Sequence, residues 1–233
     1  MRDSLGLLLR RREHVDGAIR LLVPHIASEY DEKESIRIKE WWYGSRRVLY
    51  TPCNRDVFYI CLTMRVNDKE AISIPIRKDV WKKSFPHLES IIDRFGDEGR
   101  YDRFETTKLK KWSKGRVAIL GDAAHSMSPG LGQGCGTSIV NALTLCNMLS
   151  DGRDIESTLS LWESRQRPLA EHTQLWSKIT WPLSTWPAWC ARVYYNLPVG
   201  ASWIARQRRR PSEPVSYTHL RAPETRHDLV CRL

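Results

Sequence analysis

One segment restricts the possible folds of this 233-residue chain more than any other. It begins with a short apolar run, Val117 to Leu120, which is typical of a strand buried on both faces. Gly121 and Asp122 follow directly, so the sequence predicts a carboxylate at the C-terminal end of that strand. Ligands of open α/β sheets bind at this edge, where a carboxylate can accept hydrogen bonds from sugar or polyol hydroxyls.

A glycine-rich turn and a helix complete the segment. Glycines at 130, 132, 134 and 136 leave the backbone free to approach a flat ligand closely. The helix predicted over 136–149 directs the positive end of its dipole at the same place, which stabilises an anionic group by about 0.3–2 kcal/mol. Taken singly, these features fit an ordinary loop with an N-cap aspartate. Together they predict a site for an anionic, polyhydroxylated ligand.

The string GDAAHSMSPGLGQG, from Gly121 to Gly134, resembles the second flavin-binding motif of FAD-dependent aromatic hydroxylases, the class A flavoprotein monooxygenases with the p-hydroxybenzoate hydroxylase fold. The similarity extends from Gly115 to about Leu145. It implies that Asp122 hydrogen-bonds the ribityl chain of FAD and that His125 supports the loop. The cofactor-binding residues that it implies in this string are Gly121, Asp122, Ala123, Pro129 beside the isoalloxazine, and Gly132, Gln133 and Gly134 with their amides near the pyrimidine edge.

A second, partial resemblance covers Asp3 to Arg10, DSLGLLLR. In the family, an Asp-Gly pair followed by a spaced Ser and Arg helps to hold FAD and is tied to the use of NADH or NADPH. Asp3 and Arg10 match that pattern and are the implied cofactor-binding residues, whereas Ser4 replaces the glycine and Leu7 the serine. The alternative interpretation of these residues is the start of an amphipathic helix.

The whole chain predicts an α/β fold of the α+β kind: part of a Rossmann-like FAD-binding domain, an inserted antiparallel β-sheet substrate domain and C-terminal helices. A helix with a break at Pro86 is predicted over 78–95, and a later helix starts at the N-cap Asp154 and is kinked or divided at Pro168. Short helices are expected over 181–205. The predicted strands cover 18–23, 35–41, 46–50, 57–66, 70–76, 101–109 and 117–120.

We divide the chain into four parts. Residues 1–15 are interpreted as a remnant of the FAD-binding domain, 16–105 as the substrate domain, 106–205 as the C-terminal part of the FAD-binding domain, and 206–233 as a basic tail that is disordered or not native. No strand followed by GxGxxG occurs in the sequence, so the diphosphate of FAD lacks its usual helix N-terminus. We therefore expect the C-terminal part of a larger enzyme, which binds FAD poorly alone.

Composition argues against several other classes. The net charge is +10, but the tail contributes seven arginines against three acids, and the remainder is scattered, so no nucleic-acid surface is predicted. The sequence contains no run of about 18 apolar residues, so no transmembrane helix is predicted. The apolar patch at Leu5 is too short for a signal peptide, and we therefore expect a cytoplasmic protein. The six cysteines show no CxxC pair and no histidine at metal-ligand spacing, so no metal site is predicted.

The resemblance implies an enzyme that uses NADH or NADPH, FAD and O2 to hydroxylate an aromatic or similar planar small molecule through a flavin hydroperoxide. Two alternatives are a non-catalytic remnant that binds no flavin and a sibling flavoprotein oxygenation such as epoxidation or halogenation. No residue is predicted as the catalytic base, and no pattern indicates an oligomeric state. The residues on the strands expected to cover the active site include Tyr43, Arg47, Tyr50 and Tyr59.

Overall fold

The computed structural model describes residues 2–26 and 37–181, together with the single residues 202 and 206. Its main feature is a five-stranded antiparallel sheet in the order β2-β3-β4-β1-β5. The short helices predicted over 181–205 and the tail over 206–233 lie outside the described residues except at positions 181, 202 and 206, as do residues 35 and 36 of the strand predicted over 35–41. The strands are β1 (Leu8–Pro24), β2 (Lys39–Tyr43), β3 (Arg46–Pro52), β4 (Val57–Arg65) and β5 (Tyr101–Leu109), which confirms most of the predicted strands.

β1 is longer than predicted, because it starts at Leu8 rather than at Ala18. Its residues 8–13 and 17–19 pair with β5, with a register shift between Glu13 and Gly17, and its residues 16–24 pair with β4. Arg10 is therefore a strand residue, and the alternative of an amphipathic helix start is wrong. Cross-strand pairing, and not an alternating apolar pattern, keeps this charged run extended.

One face of the sheet forms a first hydrophobic core with two short helices, α1 (Lys78–Ser84) and α2 (Glu89–Asp93). Ile19 of β1 and Ile60 of β4 lie fully buried on this face, and Trp81 of α1 packs against them in the same core. The predicted break at Pro86 is confirmed, since a 3-10 turn separates α1 from α2. Proline fits the first position of that turn because no helical hydrogen bond needs its missing N–H.

Residues 70–76 form turns and bends, so the strand predicted there is wrong. Ala71 and Ile76 are buried in the first core and Ile72 packs beside them, which explains the alternating pattern without a strand. The N–H of Ile72 donates to the carbonyl of Asp68, and Pro75 has no N–H, so the segment does not offer the regular row of donors that a ladder needs.

A second core lies where α4 (Gly134–Leu149) and α5 (Ile155–Thr180) pack beside the end of β5. The Asp154 N-cap is confirmed, since its carboxylate accepts the N–H of Ser157 at 3.0 Å. Pro168 does not divide α5, because residues before and after it are held in the same packing. The buried residues of α5 recur at helical spacing: Thr158, Leu159, Trp162, Gln166, Ala170, Thr173, Gln174 and Ser177.

The apolar run 117–120 differs from its prediction. Only β7 (Val117–Ala118) is a strand, and it pairs with β6 (Ser113–Lys114) in a separate two-stranded sheet. Val117 and Leu120 are each 37% exposed, whereas Ile119 is buried. The prediction of burial on both faces is therefore wrong for the described part of the chain, where no further strand pairs with β7 to cover it.

Candidate functional site

The carboxylate predicted after the strand lies at the start of a short helix, α3 (Asp122–His125). Gly121, which precedes it, has φ of 61°, a left-handed conformation that favours glycine. The Asp122 side chain is exposed and makes no ion pair with any residue that the structure describes. The segment 121–134, expected to be a loop, thus contains α3 and a 3-10 turn, Pro129–Leu131.

Asp122 lines a cavity of about 290 Å³ between α3 and the strands β1 and β5. Two hydrogen bonds hold α3 against β5: the Ser126 hydroxyl donates to Thr107 Oγ1 at 2.9 Å, and the Thr107 N–H donates to the Ser126 carbonyl at 3.2 Å. We call this space the Asp122 cavity. It is lined by Arg2, Arg11, Arg20, Arg103, Phe104, Glu105, Thr107, Asp122, Ser126 and Met127.

Carboxylates partner the arginines of the Asp122 cavity. Arg11 donates to both oxygens of Glu105, at 2.5 and 2.6 Å, and this hydrogen bonding lowers the pKa of Glu105. Arg103 donates one hydrogen bond to the carboxylate of Glu13 and another to the carbonyl of His14. Because these acids are already occupied, Asp122 is the acid in the cavity that remains available to accept hydrogen bonds from the hydroxyls of a ligand.

The start of α4 offers hydrogen-bond donors close to Asp122. Gly132 adopts a left-handed φ of 65°, and Gln133 precedes the helix without a capping hydrogen bond from its side chain. No acidic residue occurs in the first turn of this 16-residue helix, so its first N–H groups and its positive dipole end are not neutralised there. A Cβ added at Gly121 would lie 3.6 Å from Ser138 Oγ, which shows that the two elements adjoin.

Three buried polar atoms around this segment have no hydrogen-bond partner among the residues that the structure describes: Ser128 Oγ, Thr137 Oγ1 and His125 Nδ1. The other ring nitrogen of His125, Nε2, lies 2.8 Å from Asn141 Nδ2. Burial lowers the pKa of His125, so the imidazole is neutral near pH 7. His125 thus connects α3 with α4.

The structure places most of the predicted site residues in one continuous segment. Asp3 lies near it, because Arg2 donates to the Asp3 carboxylate at 2.9 Å and to the carbonyl of Ala123 at 3.4 Å. Arg10 does not lie near this segment, because its side chain is on the opposite face of β1 from that of Arg11. The residues in that segment are Gly121, Asp122, Ala123, Pro129, Gly132, Gln133 and Gly134.

The walls of the Asp122 cavity were not predicted from the sequence. Arg11 is far from the glycine-rich motif in the sequence, and the pairing of β1 with β5 places it beside Glu105 and Thr107 of the same cavity. A larger cavity of about 860 Å³, between Lys114 and Arg167, contains none of the predicted site residues. In the described ranges, no three potential ligands group to hold a metal ion, and no helix is both long and apolar enough to cross a bilayer.

Comparison with known proteins bears on this site directly. Residues 89–174, which include α3, α4 and most of α5, match the family model "FAD binding domain". The chain is 40% identical over 176 residues to a putative 2-heptyl-3-hydroxy-4(1H)-quinolone synthase, AqdB1, of Rhodococcus erythropolis. That alignment covers 76% of this chain and 46% of the relative, so the chain spans about half the length of the curated relatives it matches.

Solved structures extend the similarity to most of the chain. A crystal structure of 2-methyl-3-hydroxypyridine-5-carboxylic acid oxygenase superposes with a TM-score of 0.72 at 34% identity, over 91% of this chain and 57% of that one. The fold is also that of Klebsiella pneumoniae HpxO complexed with FAD and uric acid, with a TM-score of 0.68 at 20% identity over 89% of this chain and 55% of that one. The fold class predicted from the sequence is confirmed, and the chain is similar over most of its length to part of 2-methyl-3-hydroxypyridine-5-carboxylic acid oxygenase and, over residues 89–174, to an FAD binding domain.

Proposed function

We propose that this chain contributes the ribityl and pyrimidine part of an FAD site, and the sheet that covers the substrate, to an NAD(P)H-dependent monooxygenase. The observation that carries the proposal is Asp122: an exposed carboxylate without an ion-pair partner in the described residues, in a cavity between α3 and the sheet. A carboxylate accepts hydrogen bonds only, which suits a ligand rich in hydroxyls.

The residues present fit FAD on their hydrogen-bonding chemistry. A ribityl chain offers hydroxyl donors, which Asp122 can accept, and the pyrimidine edge of a flavin offers carbonyl acceptors. The uncapped N–H groups at Gly134 and its neighbours supply donors for such acceptors. The hydroxyls of Ser128 and Thr137 add buried polar atoms that no described residue satisfies.

Each element has a part in the proposed site. Asp122 binds the ribityl hydroxyls, the amides from Gly132 to Gly134 bind the pyrimidine edge, and Pro129 lies against the ring. Asp3 supports the segment through Arg2, which contacts both Asp3 and Ala123. Arg10 faces another cavity and has no part in this proposal.

The second face of the sheet is proposed to bind the substrate. Phe104 is buried there and packs edge-to-face with Trp181 at 5.5 Å between ring centroids, and Tyr59 packs in the same cluster. The buried guanidinium of Arg47 lies 5.3 Å from the Trp42 ring and 5.8 Å from that of Trp181. Such aromatic surfaces bind planar rings.

Bound FAD, reduced by NADH or NADPH, supplies the activation of O2 that places one oxygen atom on the substrate. The protein contributes orientation and exclusion of water. We propose a planar aromatic molecule as the substrate, and the relatives support this: they include a hispidin-3-hydroxylase of Neonothopanus nambi and a phenazine 1,6-dicarboxylic acid hydroxylase of Lysobacter antibioticus.

The test is a titration of the 233-residue chain with FAD, read by quenching of flavin fluorescence, alone and with the N-terminal half of the Rhodococcus relative added. We expect weak binding alone, tighter binding with that half, and a loss of about tenfold or more in Asp122→Asn, because a charged hydrogen-bond acceptor is removed. Asp97→Asn, an exposed acid outside the cavity, is the control.

Activity is then measured as O2 consumption with NADH or NADPH and a panel of planar aromatic compounds. Substrate-stimulated O2 consumption by the reconstituted pair supports a monooxygenase. A protein that stays colourless under all these conditions, or an Asp122→Asn variant that binds FAD as tightly as the unchanged chain, contradicts the proposal and favours the non-catalytic alternative.

A further inference from the structure

A second polar cavity, of about 230 Å³, lies across the β1–β5 pair from the Asp122 cavity. Side chains alternate between the two faces of a strand, so Arg10 and Arg12 face this cavity while Arg11 faces the other. One face of α5 closes it. We call it the basic cleft, and its lining residues are Arg10, Arg12, His14, Thr106, Lys108, Glu171, Gln174, Leu175 and Lys178.

Cations outnumber acids in the lining of the basic cleft. Arg10 of β1 is the direct cross-strand partner of Lys108 of β5, and like charges placed opposite each other destabilise a sheet. Lys178 adds another positive charge from α5. Glu171 is the acid in the lining, and its carboxylate lies 4.0 Å from Lys108 Nζ.

The arginines on the two faces of the β1–β5 pair differ in whether they form ion pairs. On the face of the Asp122 cavity, Arg11 pairs with Glu105 and Arg103 pairs with Glu13. On the face of the basic cleft, Arg10 and Arg12 have no carboxylate partner in residues 2–26 and 37–181, and neither does Lys178. Of the four cations in the basic cleft, Lys108 is the one with a carboxylate partner within the part of the chain that the structure describes, and the other three have none.

Neutral polar groups complete the lining between these cations. His14 Nε2 lies 2.8 Å from Thr106 Oγ1, and the ring is half-buried. Desolvation lowers the pKa of His14, and the positive charges of Arg12 and Lys178 lower it further. The negative charge of Asp16 has the opposite effect but is outweighed. Gln174 is buried and donates to the carbonyls of Thr107 and Ser126 at 2.8 and 3.0 Å.

We infer that the basic cleft binds a small, multiply charged oxyanion of the phosphate class between Arg10, Arg12, Lys108 and Lys178. The guanidinium groups of arginine present paired N–H donors that match phosphate oxygens, and lysine adds point charges. A volume of about 230 Å³ accommodates one such group and excludes a whole dinucleotide. The source is either a free anion or the phosphate group of a nucleotide whose remainder lies outside the cleft.

The test is isothermal titration of the 233-residue chain with sodium pyrophosphate and with inorganic phosphate, at constant ionic strength maintained with chloride because salt screens exposed charges. We expect saturable binding that weakens about tenfold or more in the double variant Arg12→Gln, Lys178→Gln. The control is Arg77→Gln, Lys82→Gln, which removes the same charge from α1 and its N-terminus, where both residues are ion-paired. We expect it to bind as the unchanged chain does.

A second variant distinguishes loss of the anion-binding site from loss of the folded structure. Lys108→Gln removes the cross-strand repulsion with Arg10, so without anion its unfolding temperature should equal or exceed that of the unchanged chain, while its affinity for pyrophosphate falls. Titration with AMP identifies the source: binding tighter than that of phosphate indicates a nucleotide, and equal binding indicates a free anion.

The inference is overturned if no saturable binding occurs, or if both double variants lose binding equally. No flavin enters these titrations. A failure of FAD to bind therefore does not contradict the proposed anion site in the basic cleft. A failure of the anions to bind likewise does not contradict the proposed FAD site.

Discussion

Trp162 donates its indole N–H to the backbone carbonyl of Asn141 at 2.9 Å and thereby joins α5 to α4 in the second core. The side chain of the same Asn141 contacts His125, so one residue connects three helices around the flavin motif. Because Trp162 is fully buried, its loss cannot be compensated by water.

We expect Trp162→Ala to lower the free energy of unfolding by about 3–5 kcal/mol, since it leaves a large cavity. Trp162→Phe keeps most of the volume and leaves the Asn141 carbonyl unpaired, at a cost of about 1–3 kcal/mol. Urea unfolding measures both. Leu175→Ala, exposed on the same helix, should change stability by less than about 0.5 kcal/mol. A Trp162→Phe protein as stable as the original would show that the hydrogen bond contributes nothing.

Gly130 holds the 3-10 turn of the flavin motif against the end of α5. A Cβ added there would lie 2.2 Å from the carbonyl oxygen of Ser177 and 3.0 Å from the backbone nitrogen of Trp181, and backbone atoms cannot move aside cheaply. We expect Gly130→Ala to destabilise the protein by about 1–3 kcal/mol. In Gly96→Ala the nearest atom lies 4.0 Å away, so that variant is the matched control in the same thermal unfolding measurement. Equal unfolding temperatures for the two variants would refute the close contact.

The Arg46–Asp68 ion pair stabilises the junction of the sheet with α1. Arg46 donates to both carboxylate oxygens of Asp68, at 2.7 and 2.9 Å, and also to Ser84 Oγ at 2.9 Å. These hydrogen bonds lower the pKa of Asp68, so the ionised form stabilises the fold above the unfolded pKa of aspartate and this contribution is lost as the pH falls through the folded pKa.

We therefore expect Asp68→Asn to cost about 2–3 kcal/mol at pH 7, and the difference from the unchanged chain to shrink below about pH 4. Chemical unfolding at a series of pH values gives the comparison. Asp79→Asn breaks a solvent-exposed pair with Arg77 and should cost much less. A pH-independent effect of Asp68→Asn would contradict this account.

Tyr59 predicts a change of stability at alkaline pH. Burial raises the pKa of its phenol to about 12, and the neighbouring Cys61 adds to the effect. Between the ordinary pKa of about 10 and this value, the unfolded chain releases a proton that the folded chain retains, so stability falls as the pH rises. Tyr59→Phe should abolish this part of the fall, whereas Tyr43→Phe, on an exposed side chain, should leave it in place. Absorbance of the phenolate near 295 nm, followed together with unfolding, decides between the outcomes.

Local signals account for what the sequence predicts well. Pro86 and Asp154 act through the backbone within one turn, so the helix break and the helix start are found where the residues indicate them. The glycine-rich motif likewise depends on neighbouring residues, and its segment from Gly121 to Gly134 lies together in the structure.

Long-range pairing accounts for what the sequence did not predict. Arg11 and Glu105 are 94 positions apart, and no local pattern marks them as opposite walls of one cavity. The same holds for the charged first half of β1, which is extended only because β5 pairs with it. The strand predicted over 70–76 is wrong for a different reason. Side chains of this segment, such as Ile76, are buried in the core although the backbone forms turns and bends.

The exchange of partners along β1 gives this strand an uneven resistance to solvent. Gly17, Ala18 and Ile19 are paired with β4 on one side and β5 on the other, whereas residues 8–13 pair with β5 and residues 20–24 with β4. The amide protons of β1 should therefore exchange with deuterium most slowly at the middle of the strand and faster toward both ends. The first half of β1 also forms a wall of the Asp122 cavity and a wall of the basic cleft. The backbone between the two cavities is thus paired on one side only, and we expect it to open more readily than the part of the strand that lies between β4 and β5.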